Sequence, residues 1–298
     1  MTIAFWSEED GCGITSAMAA IASICSDVWN LRTILVQSRN QRGDLCKRLS
    51  HTASVPVMRI DCINKKSVPA MRKSCINDME PVSDIWDELF WLLKQRRLTK
   101  TMLLHCMVPV VTGRLYYLPQ GEYQKQRDYQ PSVKDGVRRI IRCTEQLADL
   151  TMIDCGNGTD SLSADLLAYA DAVVIGISQE RQNLDAYFQN RHVFPGNVIY
   201  LVNAYHPESI YNRKNLNRIY RLHDEELAVI PHNPIFRQVS EKGKIECFIR
   251  RHKDCSVFDR QFYFMQELIH TAALVLRAAG FPIPKAGSGI GNGKAGIC

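Results

Sequence analysis

The opening of the chain constrains its fold more than any other part. Thr2–Trp6 is a short apolar run that leads into Ser7–Ser16, a polar segment carrying Gly11 and Gly13. Ala17, Ala20, Ile21, Ile24 and Cys25 then recur at helical spacing and predict a helix over Thr15–Val28. Thr33–Val36 follows, rich in β-branched residues. Strand, glycine loop, helix and strand in that order begin a βαβ unit. Ala172–Ile177 and Val198–Val202 are continuous apolar runs of the kind found in strands covered on both faces, and Thr151–Ile153 and Leu227–Ile230 are shorter strand candidates. The implied fold class is α/β, a mostly parallel β-sheet flanked by helices on both faces.

Between these strands the pattern predicts helices over Asp44–Ser50, Val82–Lys94, Pro131–Leu147 and Ser161–Tyr169, and a strand near Val57–Ile60. In Val82–Lys94 the residues Ile85, Leu89, Leu92 and Leu93 mark a core-facing side, with Trp86, Phe90 and Trp91 adding bulk. Two apolar stretches, Leu103–Val111 and Leu115–Leu118, come next. A last long helix is expected over Phe258–Ala279, stopped by Gly280 and Pro282. Residues 1–283 read as one domain. Residues 284–298 are glycine-rich and read as a flexible tail. The GIGNGKAG within that tail follows no predicted strand and opens no helix, so it lacks the context of a phosphate loop.

Of 298 residues, 46 % are hydrophobic and 23 % charged, enough apolar material for a sizeable core and too little charge for global disorder. No apolar run is long enough to span a bilayer, and the N-terminus does not read as a secretion signal. Eleven cysteines include no CxxC pair, which fits small core residues in a reducing cytoplasm. Cys247, His252 and Cys255 come nearest to a metal cluster but lack a second half, so ordinary packing is the expectation. The formal net charge is +6, and local basic runs occur at Lys94–Arg97 and Arg250–Lys253. Either run offers a surface to acidic lipid or nucleic acid, and a DNA-binding scaffold is one alternative function.

Three features define a candidate site. Gly11 and Gly13 stand at a strand-to-helix turn, where backbone N–H groups can wrap a phosphate and the helix dipole favours an anion. Thr15 supplies a hydroxyl suited to Mg2+. Asp154 ends a predicted buried strand, where its carboxylate can sit near that metal, and Gly156 and Gly158 follow it.

The stretch TIAFWSEEDGCGITS resembles a strand leading into a loop of the form KGGxGKTT. TILVQSRNQRGDL resembles a segment containing DxDPQ, and DLTMIDCGNG a second aspartate motif. YADAVVIGISQE, YLVNAYHP and AVIPHNPIFRQVSEKGK match later segments in the same order. Over Thr2–Leu276 the sequence therefore resembles the MinD/ParA family of deviant Walker-motif P-loop ATPases. The resemblance implies a nucleotide site at Gly11, Cys12, Gly13, Ile14, Thr15 and Ser16, with Thr15 and Asp154 as Mg2+ ligands. It places Asn203 and Pro231 on or near base-contacting positions.

Several residues depart from the family pattern. Glu9 stands in place of the signature lysine, Asp10 in place of the first loop glycine, and Ile14 in place of the ordinary phosphate-loop lysine. The two carboxylates of the second-strand motif are replaced by Gln37 and Arg39. Arg39 is the compensating cation the sequence offers. Losing a cation from a partly dehydrated phosphate site costs on the order of 3 kcal/mol or more. The resemblance thus implies ATP or ADP binding with Mg2+ that is weakened or absent, and little or no hydrolysis. It further implies a scaffold or localisation role, similar to the localisation component of tight-adherence pilus and secretion systems. The expected partner is a protein, such as a membrane-associated component that recruits the chain to the inner membrane face. Any homodimer is expected to form without nucleotide. An active partitioning or positioning ATPase with a non-standard loop is the alternative.

Overall fold

Alternation along the first strand divides the molecule into layers. In β1 (Thr2–Ser7), Ile3 and Phe5 face one core while Ala4 and Trp6 face the other. The structure is a computed structural model and describes residues 1–37, 44–49, 85–118, 131–157, 161–190 and 192–283. Sequence expectations at Arg39, Val57–Ile60, Gly158 and 284–298 lie outside the described residues.

The elements after β1 are α1 (Ile14–Asp27), β2 (Thr33–Gln37), α2 (Asp44–Leu49), α3 (Ile85–Lys94), α4 (Lys100–His105), β3 (Val108–Val111) and β4 (Leu115–Leu118). Then come α5 (Pro131–Glu145), β5 (Leu150–Gly156), α6 (Ser161–Tyr169), β6 (Ala172–Ile177), α7 (Arg181–Gln189) and β7 (Asn197–Tyr205). The chain continues through α8 (Arg213–Tyr220), β8 (Leu227–Pro231), α9 (Pro234–Glu241), α10 (Ile245–His252) and α11 (Phe262–Ala278). The strands form one sheet of order β3-β4-β2-β5-β1-β6-β7-β8. Among the described residues only the β3–β4 pair is antiparallel. Pro109 sits on the edge strand β3, where its missing N–H removes no ladder bond from a central strand.

Helix α1 lies against the sheet beside α10 and α11 and is buried along nearly its whole length. Ala17, Ala19, Ala20 and Ala22 allow that close approach. Ile21 and Ile24, fully buried, each contribute on the order of 2 kcal/mol. On the opposite face α3, α5, α6 and α7 cover the second core. Because seven strands run parallel, the loops after β1, β5, β6, β7 and β8 collect at one edge of the sheet. That is where ligands bind in open α/β folds.

Three readings of the sequence need correction. The apolar stretch Leu103–Val111 is the end of helix α4 followed by strand β3, and Cys106 and Met107 turn between them. The last helix starts at Phe262, because Phe258 sits in a turn and is 94 % exposed. Trp91 projects from α3 into solvent instead of adding to its core side. Helices α7 to α10 are short, eight or nine residues each, and were not anticipated. Among the described residues, no helix is long and apolar enough to cross a membrane.

Candidate functional site

The loop between β1 and α1 is shaped by backbone constraints at two glycines. Gly11 (φ +80°) and Gly13 (φ +76°) both adopt left-handed conformations that side chains resist. Gly13 is also the N-cap of α1 and has no side chain to satisfy the helix's first N–H groups. Those donors are left facing the loop, the arrangement that receives an anion. Asn203, near the end of β7, donates from Nδ2 to the carbonyls of Cys12 (3.2 Å) and Gly13 (3.3 Å). A Cβ on Gly13 would fall 2.1 Å from that nitrogen. From beneath, Gly176 of β6 lets the loop settle: a Cβ there would lie 2.8 Å from Cys12 Sγ and 3.2 Å from Ile14 Cδ1.

At the first turn of α1, Thr15 Oγ1 donates to Asp154 Oδ2 at 2.8 Å. The N–H of Gly156 donates to Asp154 Oδ1 at 3.0 Å. Strand register explains the meeting, since Asp154 pairs with Phe5 on β1 and Gln37 on β2, near the carboxyl end of β5 beside the loop. Asp154 is buried. A hydroxyl and a carboxylate joined in this way are a hard-oxygen donor set that fits Mg2+ held together with a phosphate.

The other end of the loop is different. Glu9 turns back on its own chain: its carboxylate accepts from Asn183 Nδ2 of α7 at 2.8 Å and from Ser178 Oγ at 3.3 Å. Asp10 Oδ1 accepts from Asn157 Nδ2. Ile14 is 6 % exposed, its side chain packed into the core under the loop. Neither position that would carry a lysine presents a cation. Burial, the largest influence, pushes the Cys12 thiol above its usual range, and Glu9 and Asp154 push it the same way. Cys12 is therefore an uncharged packing residue.

Pro231 closes β8, paired with Tyr205 of β7. Beside it the exposed rings of His206 and His232 stack, 4.7 Å between centroids. Asn203, which the resemblance places on or near a base-contacting position, gives its Nδ2 to the loop carbonyls. Sequence reasoning missed a chain running from Arg48 of α2 through Ser240 of α9 to Ser16 of α1. No motif marks it. An open groove of about 790 Å3 lies along α8, lined by Arg213, Lys214 and Arg218 among others, and includes no residue of the phosphate loop. The loop's chemistry, not cavity size, is the guide to the site. Of the basic run, Arg250 pairs with Glu246 at 3.0 Å and Lys253 Nζ donates to Asp27 O at 3.1 Å.

An eight-stranded, mostly parallel sheet with a glycine loop between its central strand and a buried helix defines the P-loop NTPase class of fold. Within that class the fold is that of the MinD/ParA ATPases. A ParA family ATPase from Chlorobium tepidum superposes over 91 % of this chain and 98 % of its own, with TM-score 0.64 and 14 % identity. MinD of Pyrococcus horikoshii, complexed with Mg-ADP, matches over 94 % and 98 % with TM-score 0.58 and 15 % identity. The MinC:MinD complex of Aquifex aeolicus matches over 95 % and 97 % with TM-score 0.58 and 14 % identity. At the level of sequence, no family model and no curated protein matches the chain.

Proposed function

We propose that this protein is a MinD/ParA-type scaffold or localisation factor that binds nucleotide weakly, through Mg2+ and backbone donors, and does not hydrolyse ATP. The observation that carries the reading is the disposition of Glu9 and Ile14. One is bonded to Ser178 and Asn183 and the other is buried, so neither neutralises a γ-phosphate. Phosphoryl transfer depends chiefly on such neutralisation and on positioning. Thr15 and Asp154 would hold the metal, and the N–H groups of the first turn of α1 would hold the phosphates. When bound, the metal would supply positive charge that offsets part of the acidity of Glu8, Glu9 and Asp10.

Proteins of this fold include one bound to Mg-ADP and one assembled with a protein partner. By analogy, the present chain acts by recruiting a partner, for which a membrane-associated component of a pilus or secretion assembly is our reading. Glu9, engaged within its own subunit, cannot cross to a second copy as a lysine would. Two facing Glu8–Asp10 segments would repel. Nucleotide therefore does not drive dimerisation.

The decisive experiment combines calorimetric titration with Mg-ATP, a turnover assay, and sedimentation with and without Mg-ATP. The expected result is weak binding, no turnover and an unchanged sedimentation coefficient. Ile14→Lys should raise triphosphate affinity about tenfold or more without a matching gain in turnover. Wild-type hydrolysis that disappears in Thr15→Ala would overturn the reading in favour of an active ATPase.

A further inference from the structure

Neither lysine position of the loop carries a cation, but a guanidinium approaches the first turn of α1 from another helix. Arg48, near the end of α2, donates from Nη1 to Ser240 Oγ at 3.1 Å. Ser240 Oγ in turn lies 3.1 Å from Ser16 Oγ. Ser16 is the third residue of α1, and both serines are more than nine-tenths buried. The chain joins residues from α1, α2 and α9 around the helix end that faces the loop.

Its direction follows from donor and acceptor inventories. A guanidinium only donates, so Ser240 must accept from Arg48. The single hydroxyl hydrogen of Ser240 is then directed to Ser16. Ser16 accepts it and keeps its own hydrogen, which goes to no acceptor among the described residues. A cation therefore orients two hydroxyls so that a donor is left at the first turn of α1. The N–H groups there have no side-chain cap. An acceptor completing this set would be an anionic oxygen, and the hydroxyl-polarising charge behind it selects for one.

We propose that Arg48 is the positioning residue that replaces the missing loop lysines. It polarises the Ser240–Ser16 pair toward a phosphate oxygen of a nucleoside diphosphate bound at the first turn of α1. The inference rests on the reading of the loop as a nucleotide site and goes beyond it by naming the source of positive charge. It also predicts preference: with no cation at either lysine position of the loop, the diphosphate should bind about as well as the triphosphate.

The test is calorimetric titration of the full chain with Mg-ADP, at low and at raised salt, in parallel with thermal melts. Arg48→Met should lower Mg-ADP affinity about tenfold and flatten its salt dependence. Arg48→Lys should recover affinity to within about threefold of wild type. Ser240→Ala, which keeps the charge and breaks the relay, should cost about threefold. A purely structural tie between α2 and α9 would lower the melting temperature of Arg48→Met but leave Mg-ADP affinity unchanged. That result, with Thr15→Ala still abolishing binding, overturns the role of Arg48 and leaves the nucleotide reading standing. No Mg-ADP binding by the wild type would instead overturn the nucleotide reading itself. If Arg48→Met does not fold, Ser240→Ala decides, and wild-type affinity there overturns the proposal.

Discussion

The two ends of the phosphate loop are held by carboxylates in opposite ways. At the metal end Asp154 is buried, 3 % exposed, and receives a hydroxyl and a backbone N–H from the elements that form the site. At the other end Glu9 is half-buried and receives Asn183 Nδ2 from α7 and Ser178 Oγ from the segment after β6. The first arrangement presents oxygen ligands inward to a metal. The second withdraws a charge from the loop. Loop geometry survives because it is enforced by glycine dihedrals, the Asn203 clamp and the close approach over Gly176, none of which needs a lysine.

The largest effect should come from the constraint common to both ends. Gly13→Ala places a Cβ 2.1 Å from Asn203 Nδ2 on a residue with φ +76°. Asn203 must swing away and surrender its two carbonyl bonds, and the backbone is strained as well. A loss of about 2 to 3 kcal/mol is expected in urea unfolding. A change below about 0.5 kcal/mol would show that the loop is not held by this clamp.

A paired measurement sharpens the contrast between the two carboxylates. Asp154→Ala should cost about 1 to 3 kcal/mol, since it strips charge-assisted bonds from a buried position. Glu9→Ala should cost under about 1 kcal/mol, in the range of partly solvated polar contacts. Equal losses would mean that the end bearing Glu9 is as rigidly built as the metal end.

The smallest effect lies away from the loop. His270 on α11 has its pKa lowered, chiefly by burial and next by the nearby Arg213, while Glu267 opposes the shift. Above about pH 6.5 both folded and unfolded states carry it neutral, and it contributes nothing to the pH dependence. As pH falls below that value the unfolded chain takes up a proton first, so stability declines until the folded pKa is reached. His270→Gln should flatten this decline without altering nucleotide binding. A slope unchanged between wild type and variant in melts across that window would assign the decline to other groups.

Much of the architecture was legible in advance because it is encoded locally. The apolar runs at β1, β2, β5, β6, β7 and β8 and the spacing along α1 emerge within a few residues of each strand or turn of helix. Helices α7 to α10 escaped because they are short, eight or nine residues each, too few turns to establish a period. For α8, Leu216 is the buried residue. The site was legible in identity and not in orientation. Thr15 and Asp154 were placed together on motif order, and the structure joins them by a hydrogen bond.

By itself the sequence determined the order of strands and helices, the position of the glycines, and the replacement of both lysines by Glu9 and Ile14. Those properties are one-dimensional, written in residue type and spacing. Only the tertiary structure decided where side chains from distant segments meet. Glu9 finds Asn183 across 174 residues, Asn203 finds Cys12 across 191, and Arg48 finds Ser240 across 192. The physical reason lies in the sheet. Parallel strands gather their carboxyl ends, and the loops that follow them, at one edge whatever their separation along the chain. Which polar groups then pair is set by register and helix packing there, which no local pattern records.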